Sequence, residues 1–281
     1  MGAILEVIDQ DLRRLTAMKV IKPSFKNDEH ALIDFIREAK ITAMLEHPNI
    51  IPVHELGLSE ETGLFFTMKL MQGEPLNQIL NEIKKGNAAY QEKYNEYSLM
   101  NIFRKICDAV DFAHAKNIIH RDIKPHNVIV GRYGEVLLMD WGLALYIGDP
   151  EKEEDPSQKD ALKDILKLTD KGKNTIQGSP AYLSPEQAEG DSLQLDKKTD
   201  IFLLAATFYH ILTLAAPYTG ENLKDVLDKA KRRDLIDPQK RNPERHIPDE
   251  LCRIVMKAAS LKKEDRYDNV QELIKEIDDV I

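Results

Sequence analysis

Eight residues, His120-Arg121-Asp122-Ile123-Lys124-Pro125-His126-Asn127, constrain this chain more than any other stretch. They crowd a carboxylate, an ammonium and a carboxamide between two apolar patterns. Upstream, Leu99, Ile102, Phe103, Ile106, Val110 and Ala113 recur at helical spacing behind Ser98, which reads as the N-cap. Downstream, Val128–Val130 and Glu135–Met139 read as short strands bracketing a Gly131–Gly134 turn. That hairpin ends in a second carboxylate, Asp140 of Asp140-Trp141-Gly142, eighteen residues after Asp122. A polar turn between helix and strand can be plain surface. This one carries a particular chemistry. A held carboxylate, Asp122, can orient the proton of an attacking hydroxyl. Lys124 can meet a phosphoryl group as a point charge. Asn127 and Asp140 offer hard oxygen ligands suited to Mg²⁺. Phosphoryl transfer asks a protein for little beyond such positioning and charge.

The rest of the chain divides in character. Ile4 to Ile21 reads as two short strands around Asp9-Gln10-Asp11, and Val53–Leu58 and Leu64–Leu70 as two more around Ser59–Gly63. Between the pairs, Asp28–Glu46 reads as a helix with Ile33, Ile36, Ile41, Met44 and Leu45 as its buried stripe, ended by His47-Pro48-Asn49. After Gly73 the pattern is mainly helical, closing with segments near Thr199–Leu214, Asn222–Lys231, Asp249–Ala258 and Val270–Val280. The order predicts an α+β chain of two lobes. One stretch departs. Residues 149–173 are dense in Asp, Glu and Lys, which predicts a solvated insertion, with a short amphipathic helix around Ala161–Leu168 as the alternative.

The spacing His-Arg-Asp, Lys two residues later and Asn five residues later resembles the catalytic loop of serine/threonine protein kinases. Asp140-Trp141-Gly142 resembles that family's Asp-Phe-Gly motif, with Trp for Phe. Thr16-Ala17-Met18-Lys19 is similar to its Val-Ala-Ile-Lys strand. Glu38, in Arg37-Glu38-Ala39, then matches the ion-pair partner of Lys19. The resemblance implies catalytic roles for Asp122, Lys124, Lys19 and Glu38, and Mg²⁺ on Asn127 and Asp140. It implies an ATP site in which Met68 is the gatekeeper and Lys69, Leu70 and Met71 form the hinge. Ala17 and Ile129 would cover the adenine faces, and Gly2 and Ile4 would belong to the glycine-rich loop over the phosphates. Gly178-Ser179-Pro180-Ala181-Tyr182 and Ser184-Pro185-Glu186 resemble the end of an activation segment. Arg266 matches the partner of that glutamate, Asp200 the anchor of the catalytic loop, and Ser179 a hydroxyl that orients Asp122 and Lys124. Arg121 matches the arginine that meets an activation-loop phosphate, with Thr175 and then Thr169 as acceptors. The stretch Gly178–Ala188 is most similar to bacterial members.

The resemblance thus implies one kinase domain over residues 1–281. Residues 1–71 would form a small β-rich N-lobe and hinge. Residues 72–281 would form a larger, mainly helical C-lobe, with an activation segment at 140–186 holding the insertion at 149–173. The loop's first two glycines and the family's first strand have no counterpart in the chain, so the N-lobe is expected to lack that strand. The function implied is Mg-ATP-dependent transfer of the γ-phosphoryl group to Ser/Thr hydroxyls of proteins. Two alternatives stand beside it: a truncated or non-catalytic kinase-like binding module, suggested by the short glycine loop, and a small-molecule kinase of related fold, opposed by the activation-segment matches.

Bulk properties narrow the partners. The chain carries 39 basic and 48 acidic residues, a net charge of −9, which argues against nucleic acid. The most apolar run, Ile201–Ala216, is shorter than the roughly 20 residues a membrane span needs and contains His210. Glu6 stands where a myristoylation signal wants Ser or Thr. Cys107 and Cys252 lie in amphipathic helical patterns, as reduced thiols of a cytoplasmic protein would.

Overall fold

The computed structural model describes residues 2–153, 155–168 and 176–280. The chain opens with an antiparallel hairpin of β1 (Gly2–Asp9) and β2 (Arg14–Ile21). Its turn is closed by the Asp9 carboxylate, which accepts the backbone N–H groups of Asp11 and Leu12. β3 (Val53–Ser59) and β4 (Gly63–Lys69) complete a four-stranded sheet in the order β1-β2-β4-β3. β1 is an edge, with Ile4 and Ile8 exposed.

Helix α1 (Glu29–Met44) crosses between β2 and β3. Asp28 caps it by accepting the Ala31 N–H at 3.1 Å, and Glu29 sits favourably in its first turn. The face it lays on the sheet is not the expected one. Ala31, Phe35 and Ala39 are buried, whereas Ile33 and Ile36 are half-buried. Ala31 and Ala39, a turn to either side of Phe35, leave room for the helix to approach the strands, and the Phe35 ring meets Phe66 of β4 at 5.0 Å. The isoleucines are pushed to its flanks. Ile41 and Leu45, at the far end, are buried as expected, but in the core of the larger lobe.

The larger lobe is helical. β5 (Gly73–Pro75) leads into α2 (Leu76–Lys84), α3 (Ala88–Lys93) and α4 (Glu96–Ala115). α4 starts earlier than Ser98. Asn95 is the cap, its side chain accepting the Ser98 N–H at 2.9 Å, so Ser98 lies inside the first turn. β6 (Ile118–Ile119) pairs with β9 (Leu145–Tyr146). Between them lies the hairpin of β7 (Val128–Gly131) and β8 (Val136–Leu138), to which β5 adds a third strand.

The charged stretch after β9 corrects an expectation. Part of it folds into α5 (Pro156–Lys167), longer than the alternative helix at 161–168, while most of the side chains described there stay in contact with solvent. Asp155 caps it, accepting the N–H groups of Ser157 and Gln158, and Pro156 is preset for the first helical position. Only two of its residues, Leu162 and Ile165, are buried; three residues apart, they share one face. α6 (Pro185–Glu189) and α7 (Lys197–Thr213) follow, then α8 (Leu223–Arg232), α9 (Pro238–Arg241), α10 (Asp249–Ala258) and α11 (Val270–Asp278). α7 is buried on nearly all sides after its first two residues, which explains why its apolar residues are not confined to one stripe. Phe208 of α7 stacks on Phe103 of α4 at 4.4 Å. Among the described residues no helix is long and apolar enough to cross a membrane.

The architecture is therefore α+β in two lobes, a small antiparallel sheet with one helix and a larger helical body. The loop after α1 joins them. Leu138 donates its N–H to Asn49 O at 2.8 Å, and the Asn49 side chain donates to Val136 O at 2.9 Å. The cleft under the sheet thus faces the β7–β8 hairpin and the turn before it.

Candidate active site

The turn from His120 to Asn127 is fastened from below. Asp200, in the first turn of α7 and fully buried, accepts the backbone N–H of His120 at 2.7 Å and of Arg121 at 2.9 Å. His114 Nε2 lies 2.9 Å from the same carboxylate. Burial pushes the Asp200 carboxyl up, but the hydrogen bonds and His114 outweigh it and hold it below its ordinary value. Arg121 takes a left-handed backbone, φ 71°, with its carbonyl accepting Gln187 Nε2 at 2.8 Å. These contacts fix the backbone that carries Asp122.

Above that anchor the polar groups converge. Lys124 Nζ lies 2.5 Å from both Asp122 Oδ2 and Ser179 Oγ. Asn127 Nδ2 donates to Asp122 O at 2.8 Å and Oδ2 at 3.1 Å. The amide oxygen of Asn127 is left for another partner. Asp122 and Asn127 are buried, so their orientation is held by protein rather than averaged by water.

Asp140 comes to the same place from the end of β8. Met139 N donates to Asn127 O at 2.8 Å, which ties the segments carrying Asn127 and Asp140 together. Asp140 is exposed and left-handed, φ 62°, while Trp141 is buried against His120, ring centroids 4.4 Å apart. The larger indole is therefore accommodated, although its Nε1 has no hydrogen-bond partner. Gly142 lies close beside it: a Cβ there would sit 3.2 Å from Asp140 Oδ1 and 3.3 Å from Glu38 Oε2, crowding both carboxylates.

From the sheet, Lys19 of β2 reaches Glu38 of α1 at 2.5 Å, and both are largely shielded from solvent. Burial raises the Glu38 carboxyl, Lys19 opposes that rise, and Asp140 adds to it. Three charged groups from three elements therefore share one cleft. Gly2 pairs with Ile21, and a Cβ on it would come 3.0 Å from Lys19 Cε, a tight contact that would press on the lysine side chain. Ile4, opposite Lys19, is 60% exposed. Ala17 and Met68 are cross-strand partners, both buried. Lys69 closes β4, with its N–H on Pro52 O, and Leu70 and Met71 lie just beyond. Ile129 lies on β7, paired with Pro75. A cavity of about 280 Å³ opens along Leu15, Lys69, Leu70 and Met71.

Among the described residues no cluster of three or more His, Cys, Asp or Glu side chains could hold a metal unaided. Asn127 and Asp140 make a partial set. That fits Mg²⁺, which keeps waters and takes phosphate oxygens to complete its octahedron.

The segment closing the site is locked into the larger lobe. Glu186 and Arg266 form a two-pronged pair at 2.8 and 2.9 Å, both buried, and Thr199 donates to Glu186 at 2.9 Å. Burial pushes the Glu186 carboxyl up, but Arg266 more than offsets it and leaves it lowered. Thr169 and Thr175 lie outside the described residues. Sequence reasoning missed Arg37, whose guanidinium reaches Gly142 O at 3.5 Å and Leu168 O at 3.4 Å. It also missed Gln187 and His114; nothing in their local patterns marks them, since their partners are 66 and 86 residues away.

The sequence profile of the protein kinase domain matches residues 1–277. A serine/threonine-protein kinase named PknD from Protochlamydia amoebophila is 34% identical over 294 residues, covering 100% of this chain and 29% of its own. PknD of Chlamydia trachomatis serovar D is 33% identical over 97% of this chain and 29% of its own. PknD of Chlamydia pneumoniae is 31% identical over 99% of this chain and 29% of its own. The chain spans less than a third of the length of these curated relatives.

Proposed function

This chain belongs to the protein kinase domain family, and on that premise we propose that it transfers the γ-phosphoryl group of Mg-ATP to Ser or Thr hydroxyls of proteins. The observation that carries the proposal is the convergence of Asp122, Lys124, Asn127 and Ser179 within hydrogen-bonding distance. Asp122 orients the acceptor hydroxyl and takes its proton. The hydroxyl oxygen then bonds to the γ-phosphorus as the bond to the bridging oxygen of the leaving diphosphate breaks. Lys124 and Lys19 balance phosphate charge, and Glu38 aims Lys19. Bound Mg²⁺, held by Asn127 and Asp140, would neutralise the phosphates. Met68 to Met71, with Ala17 and Ile129, would hold the adenine, and Gly2 and Ile4 would cover the phosphates.

In this reading residues 1–71 act as the N-lobe and hinge, 72–281 as the C-lobe, and 140–186 as the activation segment. Arg121 supports a phosphate-responsive segment. Its guanidinium is mostly buried, burial and the nearby Arg37 push its pKa down, and its Nε has no partner. Thr175 and Thr169 are the acceptors we assign to it. Two buried free thiols, Cys107 and Cys252, support a reducing, cytoplasmic setting.

The test is transfer of labelled γ-phosphate to a generic protein substrate by the chain and by Asp122→Asn. Asp122→Asn is expected to lower turnover roughly 10²–10⁴-fold while nucleotide binding persists. Equal rates for the two proteins would remove Asp122 from the mechanism.

A further inference from the structure

A second cleft, about 910 Å³, opens on the larger lobe between the end of α2, the start of α4, the end of α7 and the segment after α9. Lys84, Arg241 and Arg245 face it, against Glu96 and Glu244. In a chain with 48 acidic and 39 basic residues, a cationic majority here is a local feature. The cations are also short of partners. Among the described residues none of the three has a carboxylate within salt-bridge distance. Arg241 reaches only Thr219 Oγ1, at 3.4 Å, and its buried Nε has no hydrogen-bond partner. Arg245 is substantially desolvated, and Glu96 offsets that only in part. A guanidinium removed from water without a paired anion is unfavourable, and an incoming anion relieves it.

The cleft is connected to the acceptor side of the active site. α2 packs against the Pro125–Asn127 turn, and Lys84 ends α2. His126 is exposed beside Asp122 and Lys124. Its ring points edge-on to Tyr182 at 6.4 Å, the Tyr182 hydroxyl lies 2.7 Å from His210 Nδ1, and His210 feels the charge of Lys84. From Asp122 toward the cleft, His126 and Lys84 are exposed, and the buried Tyr182–His210 pair lies between them. Tyr94 and Leu214 give the cleft an apolar floor.

We propose that this cleft docks an anionic segment of the protein substrate, bearing carboxylates or phosphates, that flanks the acceptor Ser or Thr. The proposal rests on the protein-kinase reading for its partner, but its test needs no turnover. Three labelled peptides share one acceptor Ser and differ only in their flank: glutamate-rich, phosphoserine-containing or lysine-rich. Fluorescence anisotropy with the whole chain is expected to show the two anionic peptides binding at least roughly tenfold tighter than the lysine-rich one, about 1.4 kcal/mol. The ranking of glutamate against phosphoserine assigns carboxylate or phosphate as the natural ligand. Charge reversal by Lys84→Glu or Arg245→Glu is expected to weaken the anionic peptides and strengthen the lysine-rich one. Lys84 is exposed at a helix end, so its reversal keeps the fold, and thermal unfolding checks this. Equal binding of all three peptides, or a preference unchanged by Lys84→Glu, overturns the proposal. Absence of phosphate transfer in the presence of that preference would instead count against the catalytic reading alone.

Discussion

Glu186 and Arg266 show how one ion pair can carry structural weight. They lie 80 residues apart in sequence and are both nearly free of solvent. Arg266→Ala would leave a buried carboxylate uncompensated, and the expected loss is about 3–5 kcal/mol in urea unfolding. The sign of its pH dependence follows from the lowered folded pKa of Glu186. The stability it contributes is fully present above the ordinary glutamate value and is lost as pH falls through the lower folded one. His210 adds a second slope. Burial pushes it down from 6.5 to about 4, with His126 and Lys84 adding to the fall. Between those values the unfolded chain binds a proton that the folded chain does not. Stability should therefore decline as pH drops from about 6.5 toward 4, by at most roughly 1.4 kcal/mol per pH unit. His210→Gln, measured over that range, is expected to flatten this slope.

At the scale of elements, α5 is the informative case. Its composition is that of a solvated stretch, and one face of it nevertheless packs. Lys40 of α1 lies 3.5 Å from Asp164, Arg37 of α1 donates to Leu168 O, and Lys116 reaches Gln158 at 3.5 Å. Glu151 is flanked by Lys159 at 2.7 Å and Lys163 at 2.8 Å, both of them solvent-facing pairs of small individual worth. The stabilisation therefore comes from Leu162 and Ile165. Leu162→Ala is expected to cost about 2–5 kcal/mol, whereas Lys163→Ala should change stability by less than about 1 kcal/mol. Calorimetry of both variants checks the contrast. Because α5 borders α1, it also abuts the helix that carries Glu38 to Lys19.

At the scale of the molecule, the two lobes do not own their residues cleanly. Leu137 lies on the hairpin of the larger lobe but packs with Ala17, Phe35, Phe66 and Met68 of the smaller. Ile41 and Leu45 of α1 do the reverse. The cleft is therefore floored by shared packing as well as by backbone hydrogen bonds. Leu137→Ala is expected to speed amide exchange in β2, β4 and α1 while α7 keeps its protection. A uniform acceleration across both lobes would mean that they open as one unit.

Much of this protein was legible before any coordinates. Strand pairs, the helix between them, the long apolar helix expected near Thr199–Leu214 and the polar turn at 120–127 follow from local patterns, and a local pattern is a property of neighbours in sequence. The polar residues of the turn, with Asp140, Lys19 and Glu38, were legible through motif spacing. What sequence alone could not decide depends on residues far apart. Whether a charged stretch packs depends on whether two of its residues find a face waiting in α1 and β9. Which side of α1 is buried depends on how near β4 allows it to come. That Arg241 and Arg245 meet Lys84 around one cleft, roughly 160 residues away in sequence, arises only when α2, α4 and α7 close on each other. Burial and charge at such places are set by tertiary neighbours, and no local pattern encodes them.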